Sequence, residues 1–448
     1  MAEKARHLCF IANYTKTYTF HETARRLERQ GAKVFWIAVN EPIRRYLAER
    51  YPFERILYVN RTFADIPGNK VGEFKLNELV LGDRVLSLDP EEGRRYLLNI
   101  QQPIYEFLKN NQVTHVFGEL TWAHEILTRR IITARSELGC RFFNPHTIRI
   151  PNGRFAFFTD EYQYEMCPAR AIDRAESPSG FTAQKPDYLA LNDKMLKGTR
   201  SLSARLAKVK RFITGENIDP DDPTLINRRW TRLKVRAREE INRELYRFTR
   251  RISLEEIDGR PFVLVALHKQ PEASIDVIGR YYEDQYTNIV NVWRILPDDW
   301  LVLIKEHTNA IGDRDLGFYR RLTRLPNIHL VRENIDSHEL IKRSQLVLTV
   351  SGTVAYEAAL MGKPSLTLAP VFFNRFPNCR HVGLRDLASA RDIHELIESS
   401  TDGEEDAHAW VLQHSFEGIV SDPISNPKST DPENLDNLAQ AILQVAEG

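Results

Sequence analysis

The chain has 448 residues, 42% hydrophobic and 27% charged, which excludes a disordered protein and suits two domains of about 200 residues each better than one core. Its 62 Lys and Arg nearly balance 61 Asp and Glu, so net charge gives no argument for a nucleic-acid partner. Cys9, Cys140, Cys167 and Cys379 are scattered without metal-ligand or disulfide spacing and read as reduced thiols, two of them in apolar runs. The chain enters a strand pattern at once, without the apolar core of a signal peptide, and carries no run of 18 apolar residues. A cytoplasmic protein is the simplest expectation.

In chain order, strand patterns over His7–Asn13, Lys33–Val39 and Arg55–Val59 alternate with helical patterns over Phe20–Gln30 and Pro42–Arg50. A long helix is predicted over Glu91–Asn110, a strand over Val113–Gly118, a helix over Trp122–Leu138 and a short strand over Arg141–Phe143. The rhythm restarts with strands at Phe262–Leu267, Trp300–Lys305, Ile328–Val331, Gln345–Val350 and Ser365–Leu368. Helices are predicted between them over Ile275–Leu296 and over Val354–Met361, the latter stopped by Gly362 and Pro364. Strands alternating with helices predict parallel sheets covered on both faces, hence an α/β chain with two Rossmann-like domains facing a cleft. The expected division is residues 1–185 for the first domain, 186–258 for a helical insert and 259–430 for the second domain. A last helix, at Leu435–Val445 within 431–448, is placed to cross back.

The insert is the one strongly biased region. Residues 194–251 hold 17 Lys and Arg against 7 Asp and Glu, a local balance of +10 in a chain of +1. Two helices are predicted there, Lys194–Ile213 and Leu225–Ile252, joined by the acidic turn Asp219–Pro220–Asp221–Asp222–Pro223. Leu233, Ile241, Leu245 and Phe248 form an apolar stripe among basic residues. Such a pattern serves as a solvated linker or as a surface for anionic lipid or polyanionic glycan.

Ligands of open α/β sheets bind beyond the carboxyl ends of the strands. There the second half places Ser351, Gly352 and Thr353 at the start of a helix, where hydroxyls and free N–H groups suit a phosphate and glycine allows close approach. Glu357 lies one helical turn on, on the same face, placed to accept from ribose hydroxyls. His307 leaves the strand at Lys305 and can donate to a phosphate or leaving group. In the first half Glu119 follows the strand at Val113–Gly118 and is the candidate general base, with His124 and Glu125 behind it. Asn13, Tyr14 and Lys16 follow the first strand on the acceptor side. No Asp-x-Asp stands directly at the end of any of these strands, and Asp221–Asp222 and Asp298–Asp299 sit in Pro-flanked turns; a metal-independent mechanism without cofactor is expected.

The run SGTVAYEAALMGKPSL resembles the nucleotide-binding stretch of GT-B glycosyltransferases. Together with HKQPEAS, YYEDQYTNIVNVWRILPDDW and IKEHTN, over about residues 260–375, it resembles the capsule polysaccharide biosynthesis family, which includes Kdo transferases that use CMP-Kdo. Gln270–Pro271–Glu272, Lys305–Glu306–His307 and Gly352–Thr353 match the family pattern, and Thr308 stands where the family has proline. The resemblance implies that Ser351, Gly352, Thr353, Glu357, His307 and Lys305 bind the nucleotide, that His268, Gln270, Glu272 and Asn13 line the substrate, and that Glu119 and His307 are catalytic. It implies a CMP- or UDP-linked sugar donor, Kdo or another acidic sugar among the candidates, and a surface glycan or glycolipid acceptor. The enzyme would work in the cytoplasm or on the inner membrane face, with residues 194–251 against anionic lipid. A nucleotide-sugar 2-epimerase, a CDP-alcohol phosphotransferase or a non-catalytic assembly protein on the same scaffold are the competing readings.

Overall fold

The computed structural model describes residues 6–169, 180–184, 219–404 and 406–447. The helix expected over Lys194–Ile213 lies outside them. The first half contributes β1 (His7–Ala12), β2 (Lys33–Ala38), β3 (Ile56–Tyr58), β4 (His115–Phe117), β5 (Arg141–Thr147) and β6 (Arg154–Phe158). The second begins with β7 (Arg251–Ile252) and continues through β8 (Phe262–Ala266), β9 (Leu301–Lys305), β10 (Ile328–Val331), β11 (Leu346–Thr349), β12 (Ser365–Thr367) and β13 (Cys379–His381). A last short strand, β14 (Phe416–Glu417), comes after these.

Two seven-stranded sheets result, ordered β14-β6-β5-β4-β1-β2-β3 and β13-β12-β11-β8-β9-β10-β7. Numbered from its own first strand, the second sheet reads 6-5-4-1-2-3 through β13 to β10, the Rossmann order, and β3 to β5 of the first sheet obey the same rule. β1 pairs in parallel with both β2 and β4, and β8 with both β9 and β11. Helices cover both faces, so central strands are apolar on both: Phe35, Trp36 and Ile37 of β2, and Val263 and Leu264 of β8, are fully buried. The chain is thus an α/β protein of two Rossmann-like domains.

Several elements depart from their sequence pattern for local reasons. The helix expected over Glu91–Asn110 is two, Pro90–Asn99 and Gln101–Asn110, because Pro103 has no N–H to donate to the preceding turn. The helix expected over Ile275–Leu296 is broken into Ala273–Asp276 and Gln285–Trp293. Tyr281 takes φ 74°, and Asp284 starts the second piece by accepting from the amides of Tyr286 (3.1 Å) and Thr287 (3.4 Å). β5 runs four residues past Phe143 because its end pairs antiparallel with β6. The insert helix is Arg229–Tyr246, shorter than expected, since Arg251 and Ile252 pair with β10 at the edge of the second sheet.

The chain crosses between halves more than once. Residues 219–228 lie on the first domain: Asp219 accepts from the Glu41 amide (2.8 Å), and Arg61 donates to the carbonyls of Asp222 (3.1 Å) and Leu225 (2.7 Å). The next helix then docks on the second domain, where Asn242 donates to the Gly312 carbonyl (3.2 Å). Gly312 has φ 110°, and a Cβ there would lie 2.6 Å from the Glu239 carbonyl oxygen, so only glycine allows this approach. The expected boundary at residue 430 falls after the return crossing: Phe416 already pairs with Phe155 of β6 in the first sheet. Helix Pro432–Glu447 then packs on helix Lys16–Arg29, with Leu438, Ile442 and Leu443 in the same core as Phe20, Ala24 and Leu27.

On one flank a buried ion cluster joins the halves. Arg280 of the second domain reaches Glu78 (2.5 Å) and Glu161 (2.7 Å) of the first, and Arg130 contacts the same two carboxylates at 2.7 and 2.9 Å. Burial would raise the Glu161 carboxyl, but hydrogen bonding and charge from Arg130 and Arg280 hold it at about 2. An unfolded Glu titrates near 4.3. The cluster's contribution is therefore complete above about pH 5 and lost as pH falls toward 2. Arg280→Ala is expected to destabilise the protein by about 2 kcal/mol at pH 7, because it leaves buried carboxylates with fewer cations. It is also expected to weaken the fall in stability on acidification from pH 5 to pH 3; denaturant unfolding of both proteins at each pH measures both effects.

Candidate active site

In each sheet neighbouring strands are added in opposite directions on either side of the first strand, so a crevice opens at its carboxyl end. In the second domain that crevice lies between β8 and β11, which lead into His268 and into Ser351–Gly352. The two turns are tied by one ring. The Ser351 amide donates to His268 Nε2 (3.2 Å), and Thr349 Oγ1 lies 2.9 Å from the same nitrogen. Burial, with the charges of His307, Arg314 and Arg149, lowers the His268 pKa to about 3, so the ring is neutral. An amide can only donate, so Nε2 accepts and the proton sits on Nδ1. Nδ1 faces Ser274 Oγ at 3.4 Å, and that hydroxyl donates to Glu272 (3.2 Å).

Ser351 Oγ donates to the Ser274 carbonyl (2.5 Å), and the Gly352 amide donates to Thr349 Oγ1 (3.3 Å). A Cβ on Gly352 would sit 2.7 Å from Thr349 Oγ1, which explains glycine at a position of ordinary φ. Gly352 precedes helix Thr353–Leu360 and contributes no side-chain cap. The amides of Thr353 and Val354, the first two of the helix, have no partner among the described residues. They form a positively polarised helix start, the backbone arrangement that binds phosphate.

The other expected residues of this half divide into two groups. His307 stands at the rim with Nδ1 accepting from the Asn309 amide (3.2 Å), which leaves Nε2–H as a donor. Burial lowers its pKa, opposed by Glu272 and aided by Lys269, Arg149 and Arg314. His268, Glu272 and His307 therefore lie together. Gln270 donates to Asp276 (2.9 Å), whose carboxyl burial pushes up to about 6. Lys305 turns away: its ammonium donates to the carbonyls of Ile335 (2.7 Å) and Glu333 (3.2 Å). Glu357 lies 3.0 Å from Nε2 of His338, a residue that sequence reading did not single out.

In the first domain the equivalent crevice lies between β1 and β4, which lead into Asn13 and into Glu119. Lys16 and Glu119 form a direct ion pair across it. Glu125, fully buried, accepts from the amides of Glu119 (2.9 Å), Thr121 (2.9 Å) and Trp122 (3.1 Å) and fixes the turn that carries Glu119. Burial, together with the charge of Glu119, raises the Glu125 carboxyl to about 7 against those donors. His124, held neutral by burial with a pKa of about 3, lies 3.1 Å from Asn13 Oδ1. Asn13 Nδ2 has no partner among the described residues. Tyr14, at φ 51°, donates to the Thr224 carbonyl (3.0 Å), which joins the insert to this crevice.

The crevices face one cleft. Tyr356 of the second domain donates to the Ile150 carbonyl of the first (3.2 Å). Arg149, in the loop between β5 and β6, acts electrostatically on His146 of its own domain and on His268 and His307 across the cleft. Arg84, over the Trp122 ring at 4.5 Å, acts likewise on Asp276. Arg149, Arg84 and His338 were missed by sequence reading. Arg149 comes just after the true end of β5, and reading that strand to Thr147 instead of Phe143 would have found it. A separate cavity of about 510 Å³, lined by Tyr164, Asn374, Arg380, His381 and Asp402 among others, lies apart from these residues.

No family model matches the chain, and no curated protein matches it in sequence. Its structure is similar to that of Thermosulfurimonas dismutans KpsC, a beta Kdo 2,7 transferase, at 9% identity and TM-score 0.38, covering 98% of this chain and 99% of that one. It is also similar to Acinetobacter baumannii MurG (10%, TM-score 0.31, 98% and 99%). A third similar structure is Methanocaldococcus jannaschii UDP-GlcNAc 2-epimerase in complex with UDP-GlcNAc and UDP (12%, TM-score 0.29, 98% and 99%). The fold itself is established by the two strand orders.

The histidine clasp has a direct test. His268→Leu removes the acceptor of a buried amide and is expected to cost about 1–3 kcal/mol of stability. His268→Gln, which keeps an acceptor, is expected to cost less. Chemical denaturation of the two variants checks the order.

Proposed function

We propose that the chain is a GT-B glycosyltransferase that takes a sugar from a CMP- or UDP-linked donor held by its second domain and adds it to a glycan or glycolipid acceptor on its first. One observation carries the reading. Two strand-reversal crevices share a cleft, one ending in the unpartnered amides of Thr353 and Val354 and the other in the carboxylate of Glu119. The donor phosphate would lie on those amides beside Ser351, Gly352 and Thr353, with His307 Nε2–H and the cations Arg149 and Lys269 near the departing charge. Glu357, placed with His338, would meet the ribose. Gln270 and Glu272 would line the transferred sugar, with His268 behind them holding the Ser351 turn, and Asn13 would offer its amide to the acceptor.

Glu119 would take the proton of the acceptor hydroxyl, with Lys16 fixing its position. The bond from the sugar's anomeric carbon to the donor phosphate breaks as the bond to the acceptor oxygen forms, and the nucleotide leaves with the electron pair. The cations at the cleft suit an acidic sugar or acceptor. Lys305 has no place in this scheme except to support the loop at Glu333–Ile335.

Thermal shift with CMP, CDP, UDP and GDP identifies the nucleotide; a ligand at 100 times its Kd stabilises by about 2.7 kcal/mol. Glu119→Gln is expected to keep that shift and to lose about 100- to 10,000-fold of transfer. Gly352→Ala is expected to lose the shift. Failure of every nucleotide to shift the parent protein would overturn the reading. Interconversion of the donor sugar without any acceptor would assign the fold to an epimerase instead.

A further inference from the structure

Helix Arg229–Tyr246 carries an apolar line on its open side. Trp230 is 78% exposed, Leu233 41% and Ile241 59%, and Phe248, just past the helix end, is 81% exposed. At 100° per residue, Trp230, Leu233, Ala237, Ile241 and Phe248 fall within a sector of about 80°. The opposite side is occupied: Asn242 and Tyr246 are buried, Asn242 bonds the Gly312 carbonyl and the Tyr246 ring packs against Tyr319. The line is therefore the face that docking leaves outward.

Charge surrounds it. Residues 228–250 contain nine Lys or Arg against three Glu, a balance of +6. Arg236, Arg243 and Arg247 pair with Glu239, Glu240 and Glu244. Lys234, at the border of the apolar line, and Arg238, exposed further round the helix, have no ion pair among the described residues. A helix with exposed Trp, Phe, Leu and Ile between arginines has the pattern of one that lies in a membrane interface, apolar side inward and cations at the headgroups. Two other occupants fit less well. A second copy would bring +6 against +6, and a soluble polyanion would meet the cations but leave Trp230 and Phe248 without a partner.

We propose that this face docks the enzyme on an anionic lipid bilayer, with Trp230, Leu233, Ile241 and Phe248 entering the interface. The helix is also the strut between the domains: Arg228 pairs with Asp89 of the first (2.8 Å), and Arg243 donates to the Ile311 carbonyl of the second (3.3 Å). Membrane contact would thus be made by the element that spans both halves. No helix among the described residues is long and apolar enough to cross a membrane.

The test is flotation of the full chain with vesicles of phosphatidylcholine alone or with about 30% phosphatidylglycerol, at about 50 and 500 mM salt. Binding is expected on the anionic vesicles at low salt only, since screening shortens to a few ångströms at high salt. Trp230→Ser with Phe248→Ser is expected to reduce it about tenfold or more, and Lys234→Glu with Arg238→Glu to do the same. All four residues are exposed or bordering the exposed line, so the fold should persist, and unchanged thermal melting checks this. The proposal is overturned if the parent ignores anionic vesicles, if the serine variant floats like the parent, or if lipid-free sedimentation shows a dimer that the serine variant abolishes. It is likewise overturned if heparin binds the parent and the serine variant equally while vesicles bind neither.

Discussion

Each sheet reverses the direction of strand addition beside its first strand, and the rest of the molecule is arranged around that reversal. Crossovers leave on opposite faces on either side of the first strand, so no helix covers its carboxyl end. The first sheet closes this gap with Lys16 and Glu119, the second with His268 and Ser351. One closure is ionic and the other neutral. That difference comes from burial: the imidazole sits where protonation is strongly disfavoured, whereas the ion pair keeps partial solvent access. A neutral closure also leaves the neighbouring amides free of a competing counter-ion.

The same reversal explains why the strand-end positions of the candidate site could be read from sequence. A parallel strand buried on both faces is a short apolar run, and the residues just after it lie at the sheet's carboxyl end. His307, Ser351 and Glu119 were found by that rule, and the structure places each of them there. The rule failed where the end of a strand was misjudged. β5 contains Asn144, Pro145 and His146, which resemble a loop, yet it continues because β6 turns back on it. Arg149 was hidden by that error. Lys305 shows the opposite case, a strand-end residue whose long side chain turns back to carbonyls of a neighbouring loop. Glu357 was legible by helical spacing, but its partner His338 comes from a different helix and only tertiary packing reveals it.

Between the domains the contacts are of two kinds. In one place they are apolar: Ile148, Ile150, Phe158 and Met166 of the first domain share a buried core with Tyr356 and Phe372 of the second, and Tyr356 donates to the Ile150 carbonyl within it. On the flank they are dense and charged, with Arg280 and Arg130 sharing Glu78 and Glu161. The insert, tied to the first domain at Asp219 and Arg228 and to the second at Asn242, adds a further link between the halves.

The return of the chain to its first domain also bears on synthesis. β6 lacks its outer neighbour, and the apolar side of helix Lys16–Arg29 lacks its cover, until residues 416–447 have left the ribosome. The second domain, whose strands all lie between residues 251 and 381, is completed earlier. The domain made first is therefore the one finished last. Until then Phe20, Phe155 and Phe157 lack part of their native covering, the kind of transient exposure from which nascent two-domain chains aggregate. A chain shortened by its final helix would suffer its damage some 400 residues away, in the domain at the opposite end of the sequence.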